Sequence, residues 1–225
     1  MSGKTQGVRI EELFERPVQI FDLDGTLVDT LVDLTVALNL ALYEHRLPPV
    51  GRELVRASLH GGVEASTRAA LAAAGAAEAH FEPLLKSYRR HYRAILGKFS
   101  KAYKGVRPVL SGLRARGVRL AICSNKPEAE ARSLLARQQL GVYFDVVVGA
   151  DTYATRKPDP MPLLAAIDRL GGVPSDAIFI GDSHVDVECA RAASVHCVFF
   201  EGGYGECAEP VSARFSNWVE VTPDA

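Results

Sequence analysis

The sequence predicts an α/β fold in which a doubly wound parallel sheet carries an inserted α-helical cap domain. From residue 101 onward, short apolar runs alternate with helical segments, a pattern typical of a parallel sheet covered by helices on both faces. The stretch 30–100 reads as helix, and it directly follows the first predicted strand. Polar side chains stand where the predicted strands end, which is the edge where such sheets bind ligands. We therefore expect a core formed by residues 1–29 and 101–225, with residues 30–100 as an inserted helical domain.

Length and composition exclude several classes of protein. The chain has 225 residues, of which 48% are hydrophobic, enough for a sizeable core. Its formal net charge of -1 gives no basic surface for nucleic acid or an anionic membrane. No apolar run approaches the roughly 20 residues of a membrane span, and the polar start lacks the apolar segment of a signal peptide. We expect a cytoplasmic protein, either a monomer or a homodimer, that binds neither nucleic acid nor membrane.

The four cysteines are irregularly spaced, and no Cys-x-x-Cys pair occurs. Reduced thiols fit this pattern and agree with a cytoplasmic protein. A zinc site is conceivable, although its spacing matches no common zinc motif. Its candidate ligands are Cys189, His196, Cys197 and Cys207.

The apolar run Val18–Phe21 predicts the first strand, and two aspartates follow it closely. Side chains alternate along a strand, so Asp22 and Asp24 face the same side. Two carboxylates this close repel each other unless a cation lies between them. Gly25 permits a sharp bend, and Thr26 can hydrogen-bond the aspartates. The pattern indicates a magnesium-dependent site at a strand end, because a plain Asp-Gly turn needs neither the second carboxylate nor the threonine.

These residues resemble the first motif of the haloacid dehalogenase superfamily. The segment 22–26 matches that motif, and the following segment 27–30 resembles its phosphoglycolate-phosphatase-like branch. Members of this branch have a Rossmann-like core and a helical cap above the catalytic face. The resemblance implies that the helices of residues 30–100 close over the substrate and exclude water.

The cap is expected to carry four helices and the choice of substrate. Leucines at steps of three and four, from Leu27 to Leu42, predict the first helix, and the segments 51–59, 63–74 and 81–96 predict the others. His60 lies beside a flexible Gly-Gly break and could reach into a pocket. Nearby arginines could bind a second anionic group of the substrate, or they could be solvated charges beside an ordinary turn. These arginines are Arg52, Arg56 and Arg68.

A phosphate seat is predicted after the strand 118–123. Ser124 and Asn125 follow this strand, and a helix is expected to begin just after Pro127. A hydroxyl beside a helix start suits an anion, because backbone N–H groups and the helix dipole both favour negative charge there. A simple helix cap is the alternative. The superfamily's second motif has a serine or threonine here that binds the phosphoryl group.

Lys157 follows the next predicted strand, 144–149, in a Lys-Pro-x-Pro context that resembles the third motif. A fixed cation at the mouth of an acidic site could steady the nucleophile and the phosphoryl oxygens. Arg156 is expected at the surface. The last main strand, 197–200, precedes a glycine-rich loop, 202–205, which we expect to be mobile. The tail, 214–218, is expected to pack against the core.

The residues at the end of the predicted strand 177–180 resemble the fourth motif of the superfamily. Asp182 stands at that end, and Asp186 can converge with it if a helix begins between them. The resemblance implies that Mg²⁺ is held by Asp22, Asp182 and the backbone carbonyl of Asp24, with Asp186 either a further ligand or a group that contacts the ligands. His184 is expected to point to solvent.

The resemblance also implies a reaction. Asp22 would attack phosphorus and form an aspartyl-phosphate, while Asp24 would protonate the leaving alcohol and later activate water. Ser124 and Lys157 would hold the phosphoryl oxygens. Asp24 argues against a haloacid dehalogenase, because those relatives lack the second aspartate.

The leading functional hypothesis is a phosphatase acting on a small phosphorylated metabolite, with phosphoglycolate as the substrate. A sugar phosphomutase of the beta-phosphoglucomutase type shares the same motifs and is the alternative. Pyrophosphatase and sugar-phosphate phosphatase activities also stay open. A non-catalytic phosphate-binding module is disfavoured, because the set of catalytic side chains is intact.

Overall fold

The structure is a computed structural model that describes residues 10–221, except the side chain of His60. Its centre is a six-stranded sheet in which every pairing is parallel. Its strands are β1 (Val18–Phe21), β4 (Arg119–Cys123), β5 (Val146–Val148), β6 (Ala177–Gly181), β7 (His196–Phe200) and β8 (Ala213–Phe215), and a separate two-stranded sheet contains β2 (Val28–Asp29) and β3 (Lys101–Ala102).

Strand β1 is central because the order across the sheet is β5-β4-β1-β6-β7-β8. Its residues alternate between two apolar layers: Val18 and Ile20 pack into one, and Phe21 packs into the other. Both faces of the sheet are therefore covered, which explains why the strands read as continuous apolar runs. The predicted doubly wound parallel sheet is confirmed.

Helices outside the insert cover both faces of this sheet. In chain order, the helices of the described residues are α1 (Ile10–Phe14), α2 (Leu31–Glu44), α3 (Arg52–Ser58), α4 (Gly62–Ala73), α5 (Phe81–Ile95), α6 (Val106–Ala115), α7 (Glu128–Arg137), α8 (Met161–Arg169) and α9 (His184–Ala192). Leu163 of α8 and Val187 of α9 belong to the apolar layer of Ile20, whereas Leu110 of α6 and Leu134 of α7 belong to that of Phe21.

Helices α2 to α5 form the insert. They lie between β2 and β3, which pair antiparallel, so the chain leaves the core and returns to it at neighbouring points. Helix α2 packs against α5 and buries Leu34, Leu38 and Leu42, as the leucine spacing predicts. This junction supports the proposed division of the chain at residues 30 and 100.

The first insert helix starts later than its leucine pattern predicts. Leu27 precedes β2, whereas α2 begins only at Leu31. The backbone N–H groups of Leu27 and Val28 both donate to the carbonyl of Leu23, which closes a tight turn. Leu27 is buried by this turn, so an apolar residue is required there without a helix.

The end of the chain adds an element that the sequence pattern did not indicate. β8 extends the sheet beside β7, and Trp218 is fully buried behind it. The indole Nε1 of Trp218 donates to the carbonyl of Thr26 over 2.9 Å. The predicted packing of the tail 214–218 against the core is therefore confirmed.

All four cysteines are free thiols. Within residues 10–221, no helix is both long enough and apolar enough to cross a membrane.

Candidate active site

Strand ends bring the predicted catalytic side chains into one pocket. Asp22 and Asp24 follow β1, Ser124 follows β4, Asp182 follows β6, and Lys157 lies in the loop between β5 and α8. All five line a pocket of about 490 Å³. Parallel pairing causes this convergence, because the carboxyl ends of β1, β4 and β6 lie at the same edge of the sheet.

The turn after β1 depends on Gly25 and Thr26. Gly25 has a φ of 84°, and a side chain there would collide with the carboxylate of Asp182. The hydroxyl of Thr26 donates to Asp182 Oδ1 over 2.7 Å. Thr26 thus contacts Asp182, which follows β6, rather than the two aspartates of its own segment. This hydrogen bond connects the turn after β1 to the end of β6.

Lys157 is the buried cation at the nucleophile. Its Nζ lies 3.0 Å from Asp22 Oδ1 and 2.6 Å from Asp186 Oδ1. Burial alone would lower the pKa of Lys157, but Asp186 and Asp22 raise it above its ordinary value. The lysine is therefore charged at neutral pH and fixes the position of the Asp22 carboxylate.

Three buried carboxylates, those of Asp22, Asp182 and Asp186, have oxygens within 4.8 Å of one another. Burial raises the pKa of Asp22 to about 6 despite the opposing effect of Lys157. Burial, then Asp186 and Asp22, raises the pKa of Asp182 to about 8. The group carries more negative charge than its burial favours, so a hard divalent cation such as Mg²⁺ fits its chemistry.

Asp186 has its oxygens occupied by the protein itself. Oδ1 accepts a hydrogen bond from Lys157, and Oδ2 accepts from the backbone N–H and the hydroxyl of Ser183 at 3.1 and 2.6 Å. Ser183 and Asp186 form a capping box at the start of α9. Although Asp186 lies within the acidic group, these contacts favour a role in holding Lys157 over direct metal ligation.

The predicted phosphate seat is formed in part. Ser124 is buried beside Asp22, whose pKa its hydroxyl lowers by hydrogen bonding. Asn125 donates through Nδ2 to the carbonyl of Lys157 over 3.0 Å, so its amide holds the lysine segment in place. The first N–H of α7, at Glu128, donates to the carboxylate of Asp151. The start of α7 is therefore capped by the protein itself. Within this segment, Ser124 is the residue that interacts with Asp22.

Lys126 is a site residue that the sequence reasoning missed. Its Nζ lies 2.8 Å from Asp24 Oδ2 and donates to the hydroxyl of Tyr92, on α5, over 2.7 Å. Burial alone would lower the pKa of Lys126, but Asp24 raises it above its ordinary value. Its place two residues after Ser124, at the same strand end, was the available signal. The paired aspartate and tyrosine come from distant segments, which no local pattern shows.

The glycine-rich loop after β7 is anchored, contrary to the expectation that it is mobile. The N–H of Tyr204 donates to Asp182 Oδ2 over 2.8 Å, and its hydroxyl donates to Asp29 over 2.8 Å. The hydroxyl also accepts from the N–H groups of Thr30 and Leu31, where the insert begins. Arg56 of α3 donates to the carbonyls of this loop. One tyrosine therefore joins a candidate metal ligand to the insert.

The insert arginines do not meet in the pocket as the sequence suggested. Arg68 is exposed, pairs with Glu78 and stacks 3.9 Å above the ring of Phe81, outside the pocket lining. Arg52 is exposed and also outside that lining. Which helix face points into the pocket depends on the orientation of the helices, which the sequence pattern does not determine. His60 lies in the short helical turn Leu59–Gly61, and its side chain is outside the described part of the structure.

The structure contradicts the hypothesis of a zinc site formed by cysteines and His196. Among residues 10–221, the acidic group described above is the only set of three or more potential ligands that converges. Cys189 donates to the carbonyl of Asp159, and His196 hydrogen-bonds Ser212. Arg156 and His184 are exposed, as expected.

Comparisons with known proteins agree with the geometry. Residues 19–200 match the model of the family described as haloacid dehalogenase-like hydrolase. The chain is 38% identical over 204 residues to the phosphoglycolate phosphatase of Pseudomonas putida, covering 89% of this chain and 74% of that protein. It is 40% identical over 200 residues to the phosphoglycolate phosphatase of Rhodospirillum rubrum, covering 86% and 82%.

Solved structures show the same fold. The crystal structure of a predicted phosphoglycolate phosphatase from Haemophilus somnus superposes with a TM-score of 0.84 at 27% identity, covering 92% of this chain and 96% of that one. Sequence, fold and strand-end chemistry therefore agree, and the chain belongs to the haloacid dehalogenase-like hydrolase family.

Proposed function

We propose that this chain is a magnesium-dependent phosphatase that hydrolyses phosphoglycolate through an aspartyl-phosphate on Asp22. The observation that carries the proposal is the meeting of two aspartates, a buried lysine and a serine in one pocket beside a third aspartate. The pocket volume of about 490 Å³ suits a small ester. Relatives named phosphoglycolate phosphatase support the choice of substrate.

Asp22 is the nucleophile of the proposed reaction. Its carboxylate oxygen bonds to phosphorus as the bond between phosphorus and the ester oxygen breaks. Lys157, 3.0 Å from Asp22 Oδ1, holds this carboxylate and offers its charge to the phosphoryl oxygens. Because the pKa of Asp22 is about 6, the carboxylate is mainly ionised at neutral pH.

Asp24 moves the protons. It gives a proton to the ester oxygen as the alcohol leaves, and it then takes a proton from the water that attacks phosphorus. That second attack breaks the bond from phosphorus to Asp22 and restores the enzyme. Asp24 faces the pocket beside Lys126, which holds its Oδ2.

Asp22, Asp182 and the backbone carbonyl of Asp24 would hold Mg²⁺ in this proposal. The fit rests on the crowding of buried carboxylates, which raises the pKa of Asp182 to about 8. A bound Mg²⁺ would neutralise negative charge on the phosphoryl oxygens as phosphorus is transferred.

The test is phosphate release from a panel of esters with Mg²⁺, using Asp22→Asn as the matched blank. The panel holds phosphoglycolate, sugar phosphates, nucleotides and pyrophosphate. A strong preference for phosphoglycolate that the blank abolishes is the expected result. Weak phosphate release from many of these compounds would contradict phosphoglycolate as the substrate, but it would still agree with a phosphatase.

A mutase would give a different result in a parallel assay. Glucose 6-phosphate would form from beta-glucose 1-phosphate with little free phosphate. That outcome, with no release from any ester, would overturn the proposed hydrolysis.

A further inference from the structure

A second buried cation lies on the other side of the aspartate pair. Lys126 and Lys157 are the buried lysines of residues 10–221. Lys157 contacts Asp22, at the phosphorus side of the proposed reaction. Lys126 contacts Asp24, the residue that must touch the ester oxygen of the leaving group. The reaction as proposed uses Lys157 but gives Lys126 no task beyond its pair with Asp24.

Lys126 and Tyr92 have hydrogen-bond donors to spare. An ammonium group has three N–H donors, and the contacts of Lys126 to Asp24 and Tyr92 occupy two of them. The hydroxyl of Tyr92 accepts from Lys126, which leaves its own hydrogen free to donate. Both residues line the pocket. Their unused donors are thus available to an acceptor that enters beside Asp24.

A further hydroxyl belongs to the same cluster. Tyr88 lies one helical turn before Tyr92 on α5, and its buried hydroxyl has no hydrogen-bond partner among the described residues. It lies within electrostatic range of Tyr92, Lys126 and Asp24. Buried polar groups without partners are uncommon in proteins. Tyr88 is not among the residues that line the pocket, so the donors that face an entering ligand are those of Lys126 and Tyr92.

Besides Lys126 and Lys157, the cations that line the pocket are Arg89, Arg93 and Arg156, and two of these arginines are paired. Arg89 pairs with Glu64, and Arg93 pairs with Glu130. These arginines are exposed, so solvent weakens any attraction that they exert. Lys126 is instead shielded from water, where an ion pair with a ligand is stronger.

We propose that Lys126 and Tyr92 bind the carboxylate of the substrate's leaving group and thereby select a short, anionic alcohol. This inference rests on the proposed function. In phosphoglycolate, one methylene separates the ester oxygen from the carboxylate carbon. When the ester oxygen meets Asp24, the carboxylate falls beside the ammonium that lies 2.8 Å from Asp24 Oδ2. A neutral alcohol gives this ammonium no counter-charge.

The test compares two esters that differ only at this group. Phosphoglycolate ends in a carboxylate, and 2-hydroxyethyl phosphate ends in a hydroxymethyl group on the same short chain. The ratio of their kcat/KM values reports recognition of the carboxylate. For Lys126→Met we expect this ratio to fall about 10- to 100-fold, mainly through the KM of phosphoglycolate, because a charge-assisted hydrogen bond is lost.

Two further variants complete the design. Tyr92→Phe removes one donor and should lower the same ratio by a smaller factor. Lys86→Met makes the matched substitution at an exposed lysine of α5 and should leave the ratio unchanged. Binding of glycolate, measured by calorimetric titration, should weaken in Lys126→Met and in Tyr92→Phe, which gives a readout independent of turnover.

Equal losses on both esters would overturn the inference, because Lys126 would then act only by positioning Asp24. If Lys126→Met does not fold, Tyr92→Phe decides, and an unchanged ratio in that variant overturns the inference. Failure of the wild-type enzyme to release phosphate from phosphoglycolate would instead sink the proposed function. If the wild-type preference for phosphoglycolate over 2-hydroxyethyl phosphate is unchanged in both variants, the proposed carboxylate site is wrong and the proposed function is unaffected.

Discussion

The two ends of the pocket are built from different parts of the chain. At the nucleophile end, Asp22, Lys157, Asp182 and Asp186 all come from the core, and their contacts to one another stay within it. At the leaving-group end, the core contributes Asp24 and Lys126, but Lys126 also binds a tyrosine of the insert. The difference suggests that the core supplies the transfer of phosphorus, whereas the choice of alcohol depends on core and insert together.

Apart from loss of the nucleophile itself, the largest effect that we expect comes from Lys157→Met. The substitution leaves Asp22 and Asp186 buried without their shared cation, so kcat should fall by about 10²- to 10³-fold. The loss should be the same for phosphoglycolate and for 2-hydroxyethyl phosphate, since Lys157 lies at the phosphorus end. Steady-state phosphate release measures kcat for both esters. A loss confined to phosphoglycolate would erase the distinction between the two ends.

The acidic group should make the stability of the metal-free protein depend on pH. Folding raises the pKa of Asp22 to about 6 and that of Asp182 to about 8, from an ordinary value of 3.8. The folded state therefore binds these protons more tightly than the unfolded state does. Their stabilising contribution is complete below the unfolded pKa and is lost as the pH rises through 6 and then 8.

Calorimetry with a chelator and with Mg²⁺ measures this effect. The Tm of the chelated protein should fall from about pH 5 to about pH 8.5, and the rise in Tm caused by Mg²⁺ should grow over the same range. Asp182→Asn should remove the part of the dependence near pH 8. A Tm increase with Mg²⁺ that is the same at both ends of the range would argue against a metal held by these carboxylates.

The sequence predicts the nucleophile end well for a physical reason. Asp22, Ser124 and Asp182 each follow an apolar strand, and parallel pairing brings the carboxyl ends of such strands together. A local pattern therefore carries three-dimensional information here. The roles of these residues stay proposals, but their meeting in one pocket follows from the strands.

The leaving-group end is harder to predict, because its contacts join segments far apart in the sequence. Tyr92 of α5 contacts Lys126 just after β4, and helix periodicity can indicate that Tyr92 is buried without identifying this partner. The glycine neighbours of Tyr204 predict a mobile loop, yet hydrogen bonds to Asp182 and Asp29 hold this tyrosine in place. Arg68 lies outside the pocket because of the orientation of α4, which the sequence leaves undetermined.

Tyr204→Phe tests whether the junction between core and insert contributes to stability. The hydroxyl accepts from two backbone N–H groups and donates to Asp29, so its loss leaves buried polar groups without partners. We expect the free energy of unfolding to fall by about 1–3 kcal/mol, as measured by urea denaturation. Tyr43→Phe is the matched control, because Tyr43 is 84% exposed. Equal stability of the two variants would mean that the Tyr204 hydroxyl does not tie the insert to the core.

The smallest effect is expected at Arg68, the insert arginine that the sequence offered as a substrate ligand. Its ion pair with Glu78 is exposed, and such pairs contribute little to stability. Arg68→Gln should change the free energy of unfolding by less than about 0.5 kcal/mol and kcat/KM for phosphoglycolate by less than about 2-fold. Phosphate release by Arg68→Gln is measured together with that by Lys126→Met. The comparison separates the effect of an exposed cation outside the pocket from that of a buried cation within it. A selective loss on phosphoglycolate in Arg68→Gln would mean that this arginine reaches the substrate in another arrangement of the insert, and the anionic group would then be recognised by the insert rather than by Lys126.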